Sequence, residues 1–258
     1  MTFKQTTLLI IVILIFFGCK SKSGNIAGSE SDNKGKAITS NSLGKKGNYD
    51  YEFWTDSEAK GEMTPGENGT FSCSWESTVA GKGNFLARSG KKFDSTKLHS
   101  AVGNISVNYN AEKYIPAGNG ISYLCIYGWA RAGNGAPLVE YYIVDSWGIN
   151  NRPPGSWTGA VSKGTVTIDG ETYDIYQTTR TNMPSIEGTK TFQQYWSVNK
   201  KRRKSGTISV SEHFKAWEKT GMKLGNLYET ALCVEGYNSS GSAEITENTL
   251  LINGEPIK

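Results

Sequence analysis

The chain has 258 residues, of which 37% are hydrophobic and 11% aromatic, and a formal net charge of +4. This length allows one large all-β domain, and abundant glycine with many aromatic residues is typical of a turn-rich sheet protein. The charge is too small, and the Lys and Arg residues too scattered, to indicate a nucleic-acid-binding protein. With only two histidines, His99 and His213, the chain has little material for a histidine-based triad or metal site.

The N-terminus has the pattern of an export signal. An apolar run from Leu8 to Phe17 ends in Gly18-Cys19 and is shorter than the roughly 20 residues that span a membrane. Gly-Cys after such a run resembles a bacterial lipoprotein box. We therefore predict a signal over residues 1–19, lipidation at Cys19, and an exported protein anchored in the cell envelope. Because Phe16 stands where Leu is usual, an ordinary secretory signal that is cut nearby is the alternative.

The rest of the chain is predicted to be a linker, one domain and a short tail. Residues 20–48 are mostly Ser, Gly, Lys and Asn, a composition that predicts a flexible polar linker. Alternation of aromatic and polar residues begins near Tyr49. We place one domain at 49–253 and a C-terminal tail at 254–258, since no repeat or change of composition divides the interval.

From Tyr49 onward the sequence predicts one strand after another. Runs rich in β-branched and aromatic residues alternate with short turns of Gly, Asn, Pro and Ser, which favours antiparallel hairpins. Asp169-Gly170 predicts a two-residue hairpin. The predicted strands are 69–75, 84–88, 103–109, 121–129, 139–146, 164–168, 171–179, 189–197, 206–210, 228–237 and 243–250.

One segment, 211–222, departs from this pattern and predicts a lone helix docked on a sheet. Ser211 is placed as its N-cap and Gly221 as its end. Phe214 and Trp217 form an apolar stripe, being three residues apart. His213 lies within this helix and is interpreted as a packing or surface residue rather than a catalyst.

The basic run 200–204 and the cysteines have structural interpretations. The run lacks interleaved aromatic residues and predicts a solvated hairpin tip whose charges keep that edge from pairing with another chain. Apart from Cys19, the cysteines are Cys73, Cys125 and Cys233. We interpret them as buried free thiols, although their spacing alone leaves open whether two of them pair.

Two glutamates lie within predicted strands. Glu140 shares a strand face with Tyr142, and Glu235 shares one with Tyr237. A glutamate in the middle of a strand is disfavoured, and it is costly to bury without a partner. Two such carboxylates beside tyrosines suit acid/base chemistry on a sugar. Taken alone, they are equally compatible with solvated sheet faces.

The residues around these glutamates favour the first interpretation. Pro-Leu-Val-Glu-Tyr-Tyr-Ile-Val-Asp-Ser-Trp-Gly at 137–148 resembles the nucleophile signature of family-11 glycoside hydrolases, the endo-β-1,4-xylanases. Val-Glu-Gly-Tyr-Asn-Ser-Ser-Gly-Ser-Ala at 234–243 is similar to the acid/base signature of that family. Arg-Thr-Asn-Met-Pro-Ser-Ile-Glu-Gly-Thr at 180–189 resembles its thumb loop. Gly-Asn-Phe at 83–85, Tyr-Gly-Trp at 127–129 and Arg-Pro-Pro-Gly at 152–155 follow in family order.

The resemblance implies an all-β jelly roll, in which two curved antiparallel sheets form a cleft, with a single α-helix. It implies retaining endo-hydrolysis of internal β-1,4-xylosidic bonds, with Glu140 as nucleophile and Glu235 as general acid/base. A retaining mechanism requires carboxyl groups about 5–5.5 Å apart, so the charge of Glu140 is expected to raise the pKa of Glu235. Asn84 stands where the family places a residue that tunes the acid/base, and an amide there implies a near-neutral pH optimum.

The resemblance also implies a cleft lined by aromatic side chains that stack on sugar rings. Glu187 in the thumb loop is expected to be solvated. Xylan and xylooligosaccharides are the expected partners of a monomeric enzyme that uses no metal or other cofactor and touches a membrane only through its lipid anchor. The expected substrate-binding residues are Trp54, Tyr127, Tyr142, Arg180, Pro184, Ser185, Ile186, Gln194 and Tyr237.

The sequence departs from the family at the turn 130–136, which is several residues longer than usual and leaves one edge of the cleft unpredicted. Asn199 stands where Arg is common. Three alternatives remain open at this point. They are a β-1,4-glucanase on a similar jelly roll, a carbohydrate-binding jelly roll without catalysis, and a structural β-sandwich on the cell surface.

Overall fold

Strands dominate residues 36–155 and 158–258, the part of the chain that this computed structural model describes. The helices there are α1 (His99–Val102) and α2 (Val210–Lys219), and Glu67–Gly69 form a 3₁₀ turn. The strands are β1 (Ser42–Lys46), β2 (Tyr49–Thr55), β3 (Ala59–Pro65), β4 (Phe71–Ser77), β5 (Asn84–Lys92), β6 (Ile105–Asn110), β7 (Ile115–Ala117), β8 (Ile121–Arg131), β9 (Val139–Trp147), β10 (Val161–Ile168), β11 (Glu171–Ser185), β12 (Gly188–Asn199), β13 (Ser205–Ile208), β14 (Asn226–Tyr237), β15 (Ser240–Ile245), β16 (Glu247–Ile252) and β17 (Glu255–Pro256).

These strands form one large sheet and two small ones. The large sheet has nine strands in the order β1-β2-β5-β14-β8-β9-β12-β11-β10, and the small sheets have the orders β13-β6-β16-β17 and β3-β4-β15-β7. All pairs described are antiparallel except β9 and β12, which run parallel. The small sheets both pack their apolar side chains against one face of the large sheet. The predicted all-β jelly roll is confirmed.

The large sheet buries both of its faces around the centre. Along β9, Tyr141 and Ile143 enter the core between the sheets, whereas Tyr142 and Val144 belong to a second buried cluster on the opposite face. We call this second group the cleft cluster; it is rich in aromatic residues. Since every residue of β9 is buried, this strand is fixed from both sides. The cleft cluster consists of Leu86, Tyr123, Cys125, Tyr127, Trp129, Leu138, Tyr142, Val144, Trp147, Phe192, Trp196, Val198 and Cys233.

Helix α2 docks as predicted but begins differently. Phe214 and Trp217 are fully buried against the inner core. Ser211 is not the N-cap, because the helix begins at Val210 and the Ser211 hydroxyl accepts a hydrogen bond from the backbone N–H of Ile105 at 2.8 Å. That hydroxyl ties the helix to β6. His213 is completely buried, which confirms the packing interpretation.

The prediction of a single helix is wrong, because α1 adds one short turn. Its first residue, His99, is 4% exposed and lies 2.9 Å from Oε1 of Glu218 on α2. The buried imidazole also contacts the Phe214 ring at 5.1 Å in an edge-to-face arrangement. A four-residue helix has too few positions to show a helical period in the sequence.

The predicted linker and tail boundaries are also wrong. Order begins before Tyr49, because β1 pairs with β2 through a turn in which Gly47 has a φ of +56°. The polar residues of β1 suit an edge strand, so composition alone suggested a linker. At the other end, β17 pairs with β16 and Ile257 is 7% exposed, so residues 254–258 belong to the domain.

Other strand predictions are confirmed in outline, with local differences. The hairpin at Asp169-Gly170 is present, and both residues have positive φ, 52° and 79°. Predicted strand 243–250 is two strands, since β15 and β16 lie in different sheets. The short or polar strands β3 and β7 were not predicted. The three cysteines are free and buried, as predicted, and Cys125 faces Cys233 across β8 and β14.

The basic run 200–204 is not simply a solvated tip. Arg203 reaches the fully buried Asp145, with its Nη2 2.6 Å from Oδ2. Asp145 also accepts hydrogen bonds from the hydroxyls of Tyr109 at 2.6 Å and Tyr173 at 2.7 Å. Arg202 lies over the ring of Trp147 at 5.3 Å. The counter-charge of Asp145 holds Arg203 in a partly buried position, whereas Arg202 packs on an aromatic surface and stays exposed.

The predicted signal at 1–19, the lipidation site Cys19 and most of the predicted linker lie outside the described residues. Within 36–155 and 158–258, the structure contains no helix with the length and apolar character needed to cross a membrane.

Candidate active site

Two adjoining cavities lie on the face of the large sheet that carries Glu140 and Glu235. The Trp54 cavity, of about 430 Å³, includes Glu140, Tyr127 and the residues 184–186. The Tyr237 cavity, of about 390 Å³, includes Arg180 and Gln194. Asn84, Tyr142 and Glu235 line both. All the cleft residues expected from the sequence therefore line one continuous cleft.

Glu140 lies at the centre of this cleft, on β9, and is 8% exposed. Its Oε1 accepts a hydrogen bond from the Tyr127 hydroxyl at 2.8 Å, and its Oε2 accepts one from Nε2 of Gln194 at 2.6 Å. The strand register explains both contacts, because Tyr127 and Gln194 lie on the strands that flank β9. Each carboxylate oxygen thus has a fixed donor.

An indole N–H holds each donor, directly at Tyr127 and through Thr178 at Gln194. Trp129 donates its Nε1–H to the Tyr127 hydroxyl oxygen at 2.5 Å. On the other side, the Thr178 hydroxyl donates to Oε1 of Gln194 at 2.8 Å and accepts a bond from Nε1 of Trp196 at 3.2 Å. These buried contacts fix the direction in which the two donors point.

The environment of Glu140 acts on its ionisation in two opposite directions. Burial raises the pKa of Glu140 above its ordinary value, and the hydrogen bonds from Gln194 and Tyr127 act against that rise. The positive charge of Arg180 also lowers the pKa of Glu140. Donors aimed at both oxygens stabilise the carboxylate form.

Glu235 has a different environment from that of Glu140. Its side chain is partly exposed, and its buried Oε2 has no hydrogen-bond partner among the described residues. Burial, as the larger cause, and the negative charge of Glu140 together raise the pKa of Glu235 to about 8. The charge of Glu140 therefore raises the pKa of Glu235, as predicted, but burial raises it more. The two carboxyl groups have environments that suit a protonated acid beside an ionised partner.

Asn84 reaches the same place from β5. It is the register partner of Tyr237, and its backbone N–H donates to Oδ2 of Asp56 at 2.9 Å. Its side-chain Oδ1 is buried and, within the described residues, has no hydrogen-bond partner. No hydrogen bond joins it to Glu235 there. Among the residues that the structure describes, the cleft therefore holds two buried oxygen atoms without a hydrogen-bond partner, one on Asn84 and one on Glu235.

Aromatic side chains form the floor and the two ends of the cleft. Tyr142 stacks on Trp196 with ring centroids 4.1 Å apart and an interplanar angle of 7°. Trp54, 37% exposed, lies in one cavity, and Tyr237, 42% exposed, lies in the other. Exposed aromatic faces at both ends of an apolar-floored groove suit a chain of stacked sugar rings.

The 180–189 segment is a hairpin rather than an irregular loop. Strands β11 and β12 continue to its tip, where the Ser185 hydroxyl donates to the carbonyl oxygen of Gly188 at 2.6 Å. Glu187, expected to be solvated, instead accepts a hydrogen bond from Nη1 of Arg131 at 2.7 Å. Arg131 is the last residue of β8, where the lengthened turn begins. That turn closes on itself through two hydrogen bonds between Gly133 and Ala136.

Arg88 is a cleft residue that the sequence analysis missed. It is 6% exposed, and its guanidinium lies 4.8 Å from the centroid of the Tyr127 ring. Its Nε donates to Oε1 of Glu229 at 2.9 Å, and Glu52 accepts from its Nη2 at 2.5 Å. Alternation along β5 places Arg88 on the face of Leu86, so period-two counting could have found it. Thr178 could not be found this way, because its role depends on its register with Gln194.

Outside this cleft, a groove of about 460 Å³ lies on the β3-β4-β15-β7 sheet and contains none of the residues above. It is lined largely by Ser, Thr and Glu. In the described ranges, no cluster of three His, Cys, Asp or Glu side chains is placed to hold a metal ion.

Comparison with known proteins gives one consistent result. Residues 46–246 match the family described as "Glycosyl hydrolases family 11". The chain is 52% identical over 217 residues to endo-1,4-β-xylanase A of Bacillus pumilus, a match that covers 84% of this chain and 87% of that protein. It is 53% identical over 222 residues to endo-1,4-β-xylanase A of Thermoclostridium stercorarium, covering 86% of this chain. In that second relative the match spans only 32% of the protein's length.

The fold gives the same result as the sequence. The structure of the family 11 xylanase from Neocallimastix patriciarum is similar with a TM-score of 0.75 and 40% identity. The match covers 84% of this chain and 100% of that one.

Proposed function

The chain belongs to glycosyl hydrolases family 11, and we propose that Glu140 and Glu235 are the nucleophile and the general acid/base of a retaining endo-1,4-β-xylanase. Family membership makes endo-hydrolysis of xylan the activity of this domain. It does not favour the alternatives of a β-1,4-glucanase, a non-catalytic binding module or a structural sandwich. One contrast supports this assignment of roles. Glu140 accepts a hydrogen bond on each carboxylate oxygen, whereas Oε2 of Glu235 has no donor among the described residues.

In the first step, an oxygen of Glu140 attacks the anomeric carbon and forms an ester with the sugar. The glycosidic C–O bond breaks, and Glu235 gives its proton to the departing oxygen. A pKa of about 8 keeps Glu235 protonated at neutral pH. The donors Tyr127 and Gln194 stabilise the carboxylate before attack. Their hydrogen bonds to Glu140 must weaken as the ester forms, because the carboxylate then loses its negative charge.

The second step reverses the proton transfer. Once Glu140 is esterified, its negative charge is gone, and one of the causes that raise the pKa of Glu235 disappears with it. Glu235 is then the stronger acid, and its carboxylate can accept a proton from water. That water attacks the anomeric carbon, breaks the ester and frees Glu140.

We assign the two cavities to the two sides of the scissile bond. The sugar that is attacked lies on the side of the nucleophile, and Glu140 lines only the Trp54 cavity of the two. The Trp54 cavity is therefore the glycone side, with the residues 184–186 above it. The Tyr237 cavity, which Glu235 also lines, receives the leaving group. Arg180 and Gln194 contribute polar groups to the Tyr237 cavity, near its boundary with the Trp54 cavity.

Glu140→Gln and Glu235→Ala variants test the assignment of roles. Glu140→Gln should lose hydrolysis of xylan by at least about a thousandfold, and Glu235→Ala by roughly 10² to 10⁴-fold. Only Glu235→Ala should retain a fast first step on a xylobioside with a nitrophenol leaving group, because that group needs no protonation. Glu244→Gln, a change on the β3-β4-β15-β7 sheet, is the control. A Glu140→Gln variant with full activity on xylan would refute the assignment.

Asn84 is proposed to set the pH range through Glu235. Its buried, unpartnered oxygen lines the same two cavities as the buried, unpartnered oxygen of Glu235. A neutral amide adds no second negative charge beside that carboxyl group. Asn84→Asp should move the activity optimum to lower pH, and an unchanged pH profile would contradict the role.

Export with a lipid anchor at Cys19 rests on the sequence of residues 1–19. Expression of the full chain and a Cys19→Ala variant in a bacterial host, followed by cell fractionation, tests it. Wild type should be found in the membrane fraction and the variant outside it. Monomeric behaviour of the soluble domain is a further expectation, which size-exclusion chromatography with light scattering measures.

A further inference from the structure

The tip of the β11–β12 hairpin, residues 184–188, is joined to the opposite wall by one ion pair. Glu187 Oε1 lies 2.7 Å from Nη1 of Arg131, with side chains 31% and 35% exposed. In the part of the chain that the structure describes, the other hydrogen bonds of the tip stay within the hairpin, as between Ser185 and Gly188. Its one further attachment is apolar, since Ile186 packs against the cleft cluster.

The Arg131 end of this pair is held firmly. Arg131 pairs with Asn226 in the large sheet, and its guanidinium lies 4.9 Å above the ring of Tyr228. Its backbone is also tightly packed, because a Cβ added at Gly225 would come within 2.0 Å of the Arg131 carbonyl oxygen. Tyr228 packs against the cleft cluster in turn. The arginine is thus held in place beside Tyr228, which lines the Trp54 cavity.

The Glu187 end lies beside the residues that cover the substrate. Pro184, Ser185 and Ile186 line the Trp54 cavity, and Glu187 follows them directly. Gly188 has a φ of +78°, which lets the chain turn tightly here. A contact at Glu187 therefore fixes how far the tip reaches over the cavity.

We propose that the Arg131–Glu187 ion pair is a latch that holds the hairpin tip over the glycone side of the cleft, with both residues acting as positioning residues for substrate binding. The inference rests on the proposed assignment of the Trp54 cavity to the glycone. It also gives a role to the lengthened 130–136 turn, which contains Arg131. The bound sugar chain is then gripped between the tip and the floor that carries Tyr127 and Tyr142.

The latch acts on binding rather than on bond cleavage, because neither residue touches Glu140 or Glu235 in the structure. Partly exposed ion pairs make modest contributions, so we expect a change of severalfold and not of orders of magnitude. Salt screens such a pair, so its effect should weaken as ionic strength rises.

Kinetics on xylohexaose with four variants test the latch. Glu187→Gln and Arg131→Gln should each raise KM about two- to fivefold while kcat stays within about twofold. Arg131→Glu should raise KM more, because two carboxylates then face each other. The double exchange Arg131→Glu with Glu187→Arg should restore KM to near the wild-type value. In the wild type, raising NaCl from about 0.02 to 1 M should raise KM toward that of Glu187→Gln, whose own KM should respond less.

Glu244→Gln is the matched control, since Glu244 lies on the β3-β4-β15-β7 sheet, away from the cleft, and pairs with Lys113. It should change neither KM nor its salt dependence. Thermal unfolding of each variant distinguishes a general loss of stability from weaker substrate binding. The latch predicts a change of KM at an unchanged Tm.

Two outcomes would overturn the latch. One is a wild-type KM in Glu187→Gln. The other is failure of the double exchange to restore KM, which would mean that Arg131 contacts the sugar itself. A failure of the proposed catalytic roles would show differently, as undiminished xylan hydrolysis by the Glu140→Gln variant.

Discussion

Thr178 donates its hydroxyl hydrogen to the amide oxygen of Gln194, at 2.8 Å. A threonine hydroxyl has one hydrogen, and here its oxygen already accepts a bond from Trp196. The hydroxyl hydrogen therefore points to Gln194, and the NH₂ group of Gln194 must point to Glu140, at 2.6 Å. A residue that does not touch Glu140 thus sets the direction of one of its two hydrogen bonds.

Thr178→Val should weaken catalysis through this arrangement. Valine keeps the shape but removes the hydroxyl, so the Gln194 amide is free to turn and Glu140 loses a fixed donor. Since that hydrogen bond lowers the pKa of Glu140, the pKa should rise and the acidic limb of kcat/KM should move to higher pH. We expect a loss of roughly tenfold in kcat/KM near pH 6.

The neighbouring pair provides the control for this change. Thr179 donates to Oε1 of Gln193 at 3.1 Å in an exposed position, next to Thr178 but without contact to Glu140. Thr179→Val should leave both kcat/KM and its pH profile unchanged. Equal effects of the two substitutions would show that Thr178 acts only on the stability of β11.

The pKa of Glu235 should respond to the charge of Glu140. That pKa is about 8 in the resting protein, and the negative charge of Glu140 is the second of its causes, after burial. In Glu140→Gln the charge is absent while burial remains, so the pKa of Glu235 should fall but stay above its ordinary value. Carboxyl ¹³C NMR titration of both proteins measures the shift. An unchanged pKa would mean that the two groups are electrostatically independent.

Asp145→Asn should destabilise the fold without changing the chemistry of the cleft. It leaves the half-buried Arg203 without its counter-charge, and loss of one partner of a buried ion pair costs about 3–5 kcal/mol. Urea unfolding measures this cost. Asp174→Asn, which affects the more exposed pair with Arg152, should cost less than about 1 kcal/mol. Similar costs for the two variants would contradict the structural role of Asp145.

His213 should make the protein less stable in acid. Burial lowers the pKa of His213 from 6.5 to about 3, and neither ring nitrogen has a hydrogen-bond partner among the described residues. The unfolded chain takes up a proton below pH 6.5 and the folded protein does not until about pH 3. Stability from this group is therefore lost as pH falls through that window, by up to about 1.4 kcal/mol per pH unit.

His213→Phe isolates this effect, since phenylalanine keeps an aromatic ring against Tyr173 and Trp217. As pH is lowered from 7 to 4, the free energy of unfolding of the variant should rise relative to that of the wild type. Urea unfolding at several pH values measures the difference. A difference that stays constant with pH would mean that His213 does not titrate on unfolding.

The sequence predicted what depends on local pattern. Strand alternation and the residues around them singled out Glu140 and Glu235, and the Asp169-Gly170 turn specified its hairpin. The ion pairs of Glu187 and Arg203 were not predicted, because their partners, Arg131 and Asp145, are 56 and 58 residues away. A charged side chain is predicted to be solvated when no partner is near it in the sequence. Only the fold shows a partner that is distant in the sequence.

The same limit explains the other differences. The polar strand β1 is stabilised by its pairing with β2 and has little apolar pattern of its own. Thr178 acquires its role from a register that joins β11 to β12. Local pattern finds the candidate catalytic residues, whereas the residues that hold them in place depend on long-range contacts.

Strand β9 carries Glu140 toward the cleft and Asp145 toward the inner core, each carboxylate with its own set of donors. Moving this strand by one residue against its neighbours would exchange the faces. Glu140 would enter the core without Arg203, and Asp145 would enter the cleft without Tyr127 or Gln194. A misaligned sheet would thus bury two unsatisfied charges at once, so the proposed nucleophile and the carboxylate that stabilises the core also act together as a safeguard against misfolding.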